Sequence, residues 1–478
     1  MITPKKSQKA QWKICATSFC FSMIGSMVLT ACGSGAPVVA TTDVARLQDF
    51  IDRQNPVFET AKQAKQIQDW PVTLITASGQ IQDNSFNQSL WEAVSKVSVQ
   101  AGITPGTYQE TFEDTNLASQ YQLALRNNKK IWVLSGFTQG AILSNWLKIP
   151  ANRQAFIDKQ VIVIGVDWAP DPEVVPPGQG IELLYRTEES GFMVGYATAG
   201  YLSKKYPTDP TKRIVSAFGG AADAGVTSFL AGWLGGIGFW NNTNETTGFS
   251  NKADNQPVKF NDNSIILNTA FIENNSIRAQ INALVNHNHP QIILPVAGVL
   301  TGTTLEATKN SDQLVVGVDT DQSLAYPQYQ NKFFSSIEKR LGYTTYKILS
   351  ELLLNKANTS AFLQQDSANR FNLVGSMQPS NVILNKGFDD EYVSYAASTL
   401  ADPTDRAIAN DALKAAAELF AKHSSKPTVH IPDVKLAEIY GSLNIPDVSI
   451  DTNNQMILNA YIRNYINQNQ STPVQKPK

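Results

Sequence analysis

The sequence predicts an α/β protein with two lobes, each built on a parallel sheet flanked by helices. Short apolar runs alternate with helical patterns over most of the chain, and this alternation is typical of β-α-β units. The same strand ending, Gly-Val-Asp after an apolar residue, occurs once in each half of the chain, at Asp167 and at Asp319. Two similar lobes that each direct a carboxylate into a shared cleft would produce this repetition.

The composition agrees with a globular protein of this size. The chain has 478 residues, 42% of them hydrophobic and 17% charged, which is enough for two lobes with sizeable cores. The formal net charge is −2. Because a mildly acidic chain does not attract phosphate backbones, we do not expect nucleic acid as a partner.

The amino terminus predicts export. Four lysines precede an apolar stretch at residues 14–29, and small residues then lead to Cys32. This order predicts a secretory signal peptide over residues 1–31. An uncleaved membrane anchor is the alternative, but the apolar stretch is short for a bilayer.

The end of the signal peptide predicts a lipid anchor. Residues 29–32, Leu-Thr-Ala-Cys, resemble a lipobox, in which the cysteine is acylated and becomes the mature amino terminus. Cleavage would remove Cys15 and Cys20, so Cys32 would carry the lipid and no thiol would remain for a disulfide or for catalysis. We therefore expect a protein anchored at the extracytoplasmic face of the cell membrane, with residues 32–69 as a tether.

The stretch at residues 72–97 joins a predicted strand to a predicted helix through a polar turn. An apolar run predicts the strand at residues 72–75, and apolar residues three and four apart predict the helix. In open α/β sheets, turns after the carboxyl ends of strands hold ligands. Asp83 and Asn87 would offer a carboxylate and an amide there, and Trp91 a flat apolar face. The alternative is that Asp83 only caps the helix and Trp91 only packs.

Two strands with the shared ending carry the other predicted carboxylates. The run at residues 161–166 ends at Asp167, which is followed by Trp168, and the run at residues 314–318 ends at Asp319. A carboxylate at such a position can bind hydroxyl groups, and a neighbouring aromatic can stack on a ring. Each could equally be an ordinary turn acid, which is common at strand ends.

The sequence has little that would support catalysis. It contains no P-loop, no H-E-x-x-H, no G-x-S-x-G and no dinucleotide-binding glycine pattern. His287 and His289 lie close together, but nothing nearby completes a set of metal ligands. We therefore expect a binding protein rather than an enzyme, without a metal or other cofactor.

Several segments resemble motifs of the basic membrane protein family. These are lipid-anchored substrate-binding proteins of ABC transporters, and their typical ligand is a nucleoside. The similar segments are Ser-Phe-Asn-Gln at residues 85–88, the acidic turn and glycine-rich helix at residues 187–196, and Gly-Val-Asp-Thr-Asp-Gln at residues 317–322 with the segment up to Lys339. The resemblance covers roughly residues 70 to 420.

The resemblance implies a type I periplasmic-binding-protein fold with a hinge between its lobes. Lobe 1 would hold residues 70–186 and 340–372, lobe 2 would hold residues 187–339 and 373–423, and residues 424–478 would be a carboxyl-terminal extension. A nucleoside would bind between the lobes, and an ABC transporter permease would be the protein partner. The predicted ligand-binding residues are Asp83, Asn87, Trp91, Asp167, Gly298, Asp319 and Lys339.

One departure and two alternatives stay open at this point. Leu294 stands where the family has an aromatic that helps to clamp the base, so the choice between purine and pyrimidine is undecided. The first alternative is a receptor for a sugar or another small polar ligand, and Trp91 and Trp168 in the cleft would argue against it. The second is a surface lipoprotein with a role in adhesion, which an occupied cleft would argue against.

Overall fold

The computed structural model describes residues 43–424, with gaps at 78, 112, 169–173, 222, 243–246, 250–254, 262–266, 268, 355–362, 366–370 and 374–380. The predicted signal peptide, Cys32, the start of the tether and nearly all of the carboxyl-terminal extension lie outside the described residues. The expectations for them stay predictions.

Strands and helices alternate along the described chain, as the sequence predicts. The strands are β1 (Val72–Thr76), β2 (Thr107–Gln109), β3 (Ile131–Ser135), β4 (Ile162–Val166), β5 (Gly180–Tyr185), β6 (Ile214–Gly219), β7 (Lys259–Phe260), β8 (Ile292–Val296), β9 (Leu314–Asp319), β10 (Phe333–Lys339), β11 (Leu363–Gln365), β12 (Phe371–Leu373), β13 (Val382–Lys386) and β14 (Val393–Tyr395). The helices are α1 (Asp43–Gln63), α2 (Phe86–Ala101), α3 (Leu117–Arg126), α4 (Thr138–Leu147), α5 (Pro150–Asp158), α6 (Thr187–Lys205), α7 (Ala224–Asn242), α8 (Asn275–Asn286), α9 (Leu300–Thr308), α10 (Gln322–Ala325), α11 (Leu341–Leu353) and α12 (Pro403–Ser424).

Two six-stranded sheets share one strand order. The first runs β13-β5-β4-β3-β1-β2 and the second β14-β10-β9-β8-β6-β7. All neighbours in the first sheet are parallel, and in the second only β14 runs antiparallel, against β10. Helices cover the sheets, so β1, β3, β4 and β8 are buried along their whole length, which explains their almost continuous apolar runs. The predicted α/β class with two parallel-dominated sheets is confirmed.

The described chain crosses between the two sheets at three places. The crossings follow β5 at Arg186, β10 at Arg340 and β13 at residues 387–392. The predicted lobe boundary at residue 373 is placed differently, because β13 pairs in parallel with β5 of the first sheet from Val382 to Lys386. The third crossing therefore comes after Lys386 rather than before β13.

Part of the predicted tether is packed onto the first lobe. Residues 43–63 form α1, in which Leu47 and Phe58 are buried, and the ring of Phe50 meets Tyr343 of α11 edge to face at 5.2 Å between centroids. The alternation of buried and exposed positions on α1 thus serves packing against α11 and α2. Among the described helices, none combines the length and the apolar character that spanning a bilayer would need.

Candidate ligand-binding site

A cavity of about 450 Å³ lies between the carboxyl edges of the two sheets. Its walls include Ser135 and Asp167, which follow or end strands of the first sheet, and Gly298, Asp319 and Lys339 from the second. Parallel strands bring their carboxyl ends to one edge, so residues distant in sequence converge there. The volume is in the range of sites that enclose a small organic ligand.

Asp167 and Asp319 occupy equivalent places in the two lobes. Asp167 follows β4 and Asp319 ends β9, and both backbones are left-handed, with φ of 65° and 66°. Aspartate tolerates this conformation better than most residues with a side chain. Both carboxylates line the cavity, so the repeated Gly-Val-Asp ending marks two facing acids.

Lys339 ties the two lobes together at the back of the cavity. It is the last residue of β10, its exposed fraction is 1%, and its ammonium forms an ion pair with the Asp167 carboxylate. The same Nζ donates to the backbone oxygen of Gly225 at 2.8 Å and lies 4.8 Å from the ring centroid of Phe229. Burial raises the pKa of Asp167, and the nearby Lys339 ammonium opposes that shift.

Asp319 of the second lobe is buried beside Lys339, as Asp167 of the first lobe is. Burial raises the pKa of its carboxyl, while the charge of Lys339 and a hydrogen bond from Ser85 act in the opposite direction. Ser85 Oγ donates to Asp319 Oδ2 at 2.7 Å. The carboxylate therefore has a fixed orientation, with its remaining acceptor capacity available on the cavity side.

Asp83 lines the cavity, but its carboxylate is engaged in capping α2. Oδ1 accepts from the backbone N–H groups of Ser85 at 2.9 Å and Gln88 at 3.1 Å, and Oδ2 accepts from that of Asn87 at 2.9 Å. Burial raises the pKa of Asp83 to about 6, and these backbone hydrogen bonds oppose the shift. The capping alternative thus describes what its oxygens do in this structure. Asn87 lines the cavity beside it, and its Oδ1 accepts from the Ser135 hydroxyl.

The two tryptophans lie outside the cavity, so the prediction that Trp91 binds the ligand has no support from the cavity lining. Neither Trp91 nor Trp168 is among the described residues that line the cavity. Trp91 is one helical turn beyond Asn87, about 6 Å further along α2, and it meets Tyr108 of β2 edge to face at 4.9 Å between centroids. Trp168 is buried in the first lobe, where its indole N–H donates to the backbone oxygen of Leu134 at 3.0 Å.

Phenylalanines supply the aromatic surface instead. The cavity is lined by Phe86, Phe137, Phe229 and Phe271. Phe137 comes from the first lobe and Phe271 from the second, and their ring centroids are 6.5 Å apart across the cleft. Phe137 directly follows the Ser-Gly ending of β3, so its position could have been found from the sequence. Phe271 has a left-handed backbone, with φ of 58°, in a loop that carries no strand or helix pattern.

The fold is similar to that of a solved solute-binding protein. A crystal structure of an ABC transporter system solute-binding protein from Aeropyrum pernix K1 superimposes with a TM-score of 0.53 at 15% identity, over 83% of this chain and 99% of that one. A solute-binding protein of an ABC transporter system from Conexibacter woesei DSM 14684 gives 0.47 at 13% identity, over 76% and 99%. LsrB from Clostridium saccharobutylicum in complex with AI-2 gives 0.43 at 15%, over 68% and 96%.

These similarities concern the fold, because the sequence identities are low. The first superposition and the matching strand orders confirm the predicted periplasmic-binding-protein type of fold. No protein-family model matches the sequence, and no curated protein matches it either. Within the described part of the chain, no group of three histidine, cysteine or acidic side chains is arranged to hold a metal ion.

Proposed function

We propose that this chain is the substrate-binding protein of an ABC importer, and that it captures a nucleoside between its two lobes. The observation that carries the proposal is the facing pair Asp167 and Asp319, which line one cavity from opposite lobes together with Lys339. The solute-binding protein from Aeropyrum pernix, with which the fold is shared, supports the transport class. The motif resemblance to the basic membrane protein family supports the nucleoside.

The chemistry of the cavity suits a ligand with hydroxyl groups and a flat ring. A carboxylate can accept from two neighbouring hydroxyls, and such charge-assisted bonds are stronger in a closed, partly dry cleft than in water. We assign the ribose hydroxyls to Asp319 and the Asp167–Lys339 pair. The rings of Phe137 and Phe271, whose planes are tilted by 55° to each other, would pack against the base.

The remaining predicted residues take supporting roles in this proposal. Asp83 fixes the start of α2, and Asn87 lies beside it as an amide within reach of the ligand. Gly298, with φ of 52°, lets the backbone after β8 pass close to the cavity, and no atom would lie within 4 Å of a Cβ there. A side chain at this position would project into open space, so we place part of the ligand next to it.

The anchoring and the hinge belong to the same proposal. A lipid on Cys32 would hold the protein at the extracytoplasmic face of the membrane, where an ABC permease could receive the ligand. The three crossings at residues 186, 340 and 387–392 would form the hinge, and the ligand would favour the closed state by its contacts with both lobes.

A sugar or another small polar ligand is the second candidate. It is favoured by the placement of Trp91 and Trp168 outside the cavity, since large indole faces would have indicated base stacking. The four phenylalanines and the cavity volume of about 450 Å³ favour the nucleoside.

Mass spectrometry can separate the two candidates. The full chain is purified without added ligand and then denatured, and the released small molecules are identified. We expect a nucleoside at close to one per chain. A released sugar would replace the proposal by the second candidate, and a cleft found empty in every preparation, with no binding of adenosine or ribose, would favour a role in adhesion.

A further inference from the structure

The start of α2 reaches across the cleft to the second lobe. Ser85 Oγ donates to Asp319 Oδ2 at 2.7 Å, and the two residues are 234 positions apart in the sequence. A second bond lies beside it, in which Gln322 Nε2 donates to the backbone oxygen of Asn84 at 3.2 Å. We call these four residues, Asn84, Ser85, Asp319 and Gln322, the cleft latch.

The local structure leaves the Ser85 hydroxyl available for this contact. Ser85 is the N-cap residue of α2, where a serine hydroxyl ordinarily accepts from the first turn of the helix, but here its side chain makes no capping hydrogen bond. Asp83 caps the helix instead, through three backbone N–H groups. The Ser85 hydroxyl therefore donates to the opposite lobe.

The partner side of the latch is equally fixed. The side-chain Oε1 of Gln322 accepts from the backbone N–H of Val318 at 2.9 Å. The backbone N–H of Gln322 donates to Ser336 Oγ at 3.2 Å. Its amide group is thus oriented within the second lobe, so that Nε2 points to the turn at Asn84. That turn has a left-handed backbone, with φ of 54° at Asn84, which is one of the conformations asparagine tolerates.

Burial strengthens the hydrogen bonds of the cleft latch. The exposed fractions are 1% for Ser85 and 8% for Asp319, and Gln322 is fully buried. A hydrogen bond to a buried carboxylate is stronger than one in water, and its loss leaves the carboxylate without a partner on that side. All four residues belong to the chain itself, so the contact needs no ligand.

We propose that Ser85 is a positioning residue that orients the Asp319 carboxylate for the ligand and, with the Gln322–Asn84 bond, holds the lobes closed. Closure then has a contribution that is independent of the ligand. The part of the proposal that concerns ligand release rests on the proposed function, whereas the closure itself does not.

Hydrogen exchange of the ligand-free full chain tests the closure. In Ser85→Ala, amide exchange should become several-fold faster in residues 83–88 and also in residues 317–326, which are on opposite lobes. The matched control is Ser89→Ala, one turn further along α2, where the hydroxyl donates to the backbone oxygen of Ser85 at 2.9 Å within the same helix. Ser85→Thr keeps the hydroxyl and should exchange like the parent.

The dissociation rate of adenosine tests whether the latch also slows ligand release. Because opening must break the latch, Ser85→Ala should raise the dissociation rate constant of adenosine about tenfold, which corresponds to about 1.4 kcal/mol. Ser89→Ala and Ser85→Thr should release adenosine at the parent rate.

The outcomes separate this inference from the proposed function. Unchanged exchange on the second lobe in Ser85→Ala, or equal effects of Ser85→Thr and Ser85→Ala, would overturn the latch. If the parent chain binds neither adenosine nor uridine, the nucleoside proposal fails, and the exchange result still decides whether the lobes are latched.

Discussion

The Lys339 ammonium is paired with the Asp167 carboxylate from the opposite lobe, although the two residues are 172 positions apart in the sequence. The pair lies at the second crossing between the lobes, where β10 ends and α11 begins. It therefore joins the lobes at the point around which they would move, and it places a cation and an anion side by side in the wall of the cavity.

Breaking this pair should destabilise the protein strongly. In Lys339→Met the Asp167 carboxylate stays buried without its cation, and removing one partner of a buried pair costs about 3–5 kcal/mol. Urea unfolding at pH 8 measures this loss. Lys386→Met is the control, because its pair with Asp390, at 2.9 Å, is exposed, and such a pair is worth about 0–1 kcal/mol. Equal losses of unfolding free energy in the two variants would show that the Asp167–Lys339 pair stabilises the protein no more than an exposed pair does.

The aromatic walls of the cavity should contribute to affinity. Phe271→Ala removes one of the two rings that meet across the cleft at a tilt of 55°, and an aromatic contact with a base is worth about 1–3 kcal/mol. We expect the dissociation constant of adenosine to rise about tenfold, as measured by calorimetry. Trp91→Ala is the control, since Trp91 packs against Tyr108, and it should leave the affinity near that of the parent. A larger loss for Trp91 than for Phe271 would contradict the placement of the base.

Glu182 of β5 should make the stability of the protein depend on pH. Burial raises the pKa of its carboxyl from the ordinary 4.5 to about 7. Because the folded pKa is raised, the folded state favours the protonated acid, so the parent loses stability as the pH rises from about 4.5 to about 7. Glu182→Gln stays neutral and should be more stable than the parent at pH 8, by about 1–3 kcal/mol at this depth of burial.

Urea unfolding at pH 4 and at pH 8 measures this difference. At pH 4 the parent and Glu182→Gln should be nearly equally stable, since both side chains are then neutral. Glu113→Gln, at an exposed position, serves as the control. A parent that stays as stable as Glu182→Gln at pH 8 would show that Glu182 carries no burial penalty.

The amino terminus should carry a lipid. Because residues 29–32 resemble a lipobox, Cys32→Ser should abolish both acylation and processing at that site. Labelling with radioactive palmitate measures the acylation, and the mass of the chain on a denaturing gel measures the processing. A Cys32→Ser chain that still takes up palmitate and is still processed would refute the predicted anchor.

The fold and part of the site follow from local signals in the sequence. Apolar runs marked the strands because parallel strands buried on both faces have few polar residues. Asp167 and Asp319 could be predicted to face each other because one strand ending occurs in both halves of the chain. The assignment of residues 373–423 to lobe 2 differs from the structure at β13, since nothing in the residues of this strand shows that its partner is β5, some two hundred positions earlier.

The site residues that could not be predicted depend on the three-dimensional direction of side chains and on distances between segments. Trp91 has the right residue type and spacing, but one further helical turn moves it away from the cavity. Phe271 lies in a loop whose path no periodic pattern describes. Ser85 looks like an ordinary helix cap, and its contact with Asp319 depends on the arrangement of two lobes that local sequence does not encode.

The most direct test of the account concerns Asp319 and the ribose hydroxyls. Calorimetry compares adenosine with 2′,3′-dideoxyadenosine, for the parent and for Asp319→Ala, with Asp312→Ala as a control at an exposed acid paired with Lys212. A charge-assisted hydrogen bond is worth about 1.5–3 kcal/mol, and tenfold in affinity is about 1.4 kcal/mol. Asp319→Ala should therefore bind adenosine about a hundredfold more weakly, whereas Asp312→Ala should bind it like the parent.

The comparison of the two ligands decides the role of this carboxylate. The parent should lose affinity for the dideoxy ligand, and Asp319→Ala should lose less, because its contact with the hydroxyls is already missing and only the contacts of the Asp167–Lys339 pair remain to be lost. Equal losses for the dideoxy ligand in the parent and in Asp319→Ala would show that Asp319 is a turn residue and does not hold the ribose.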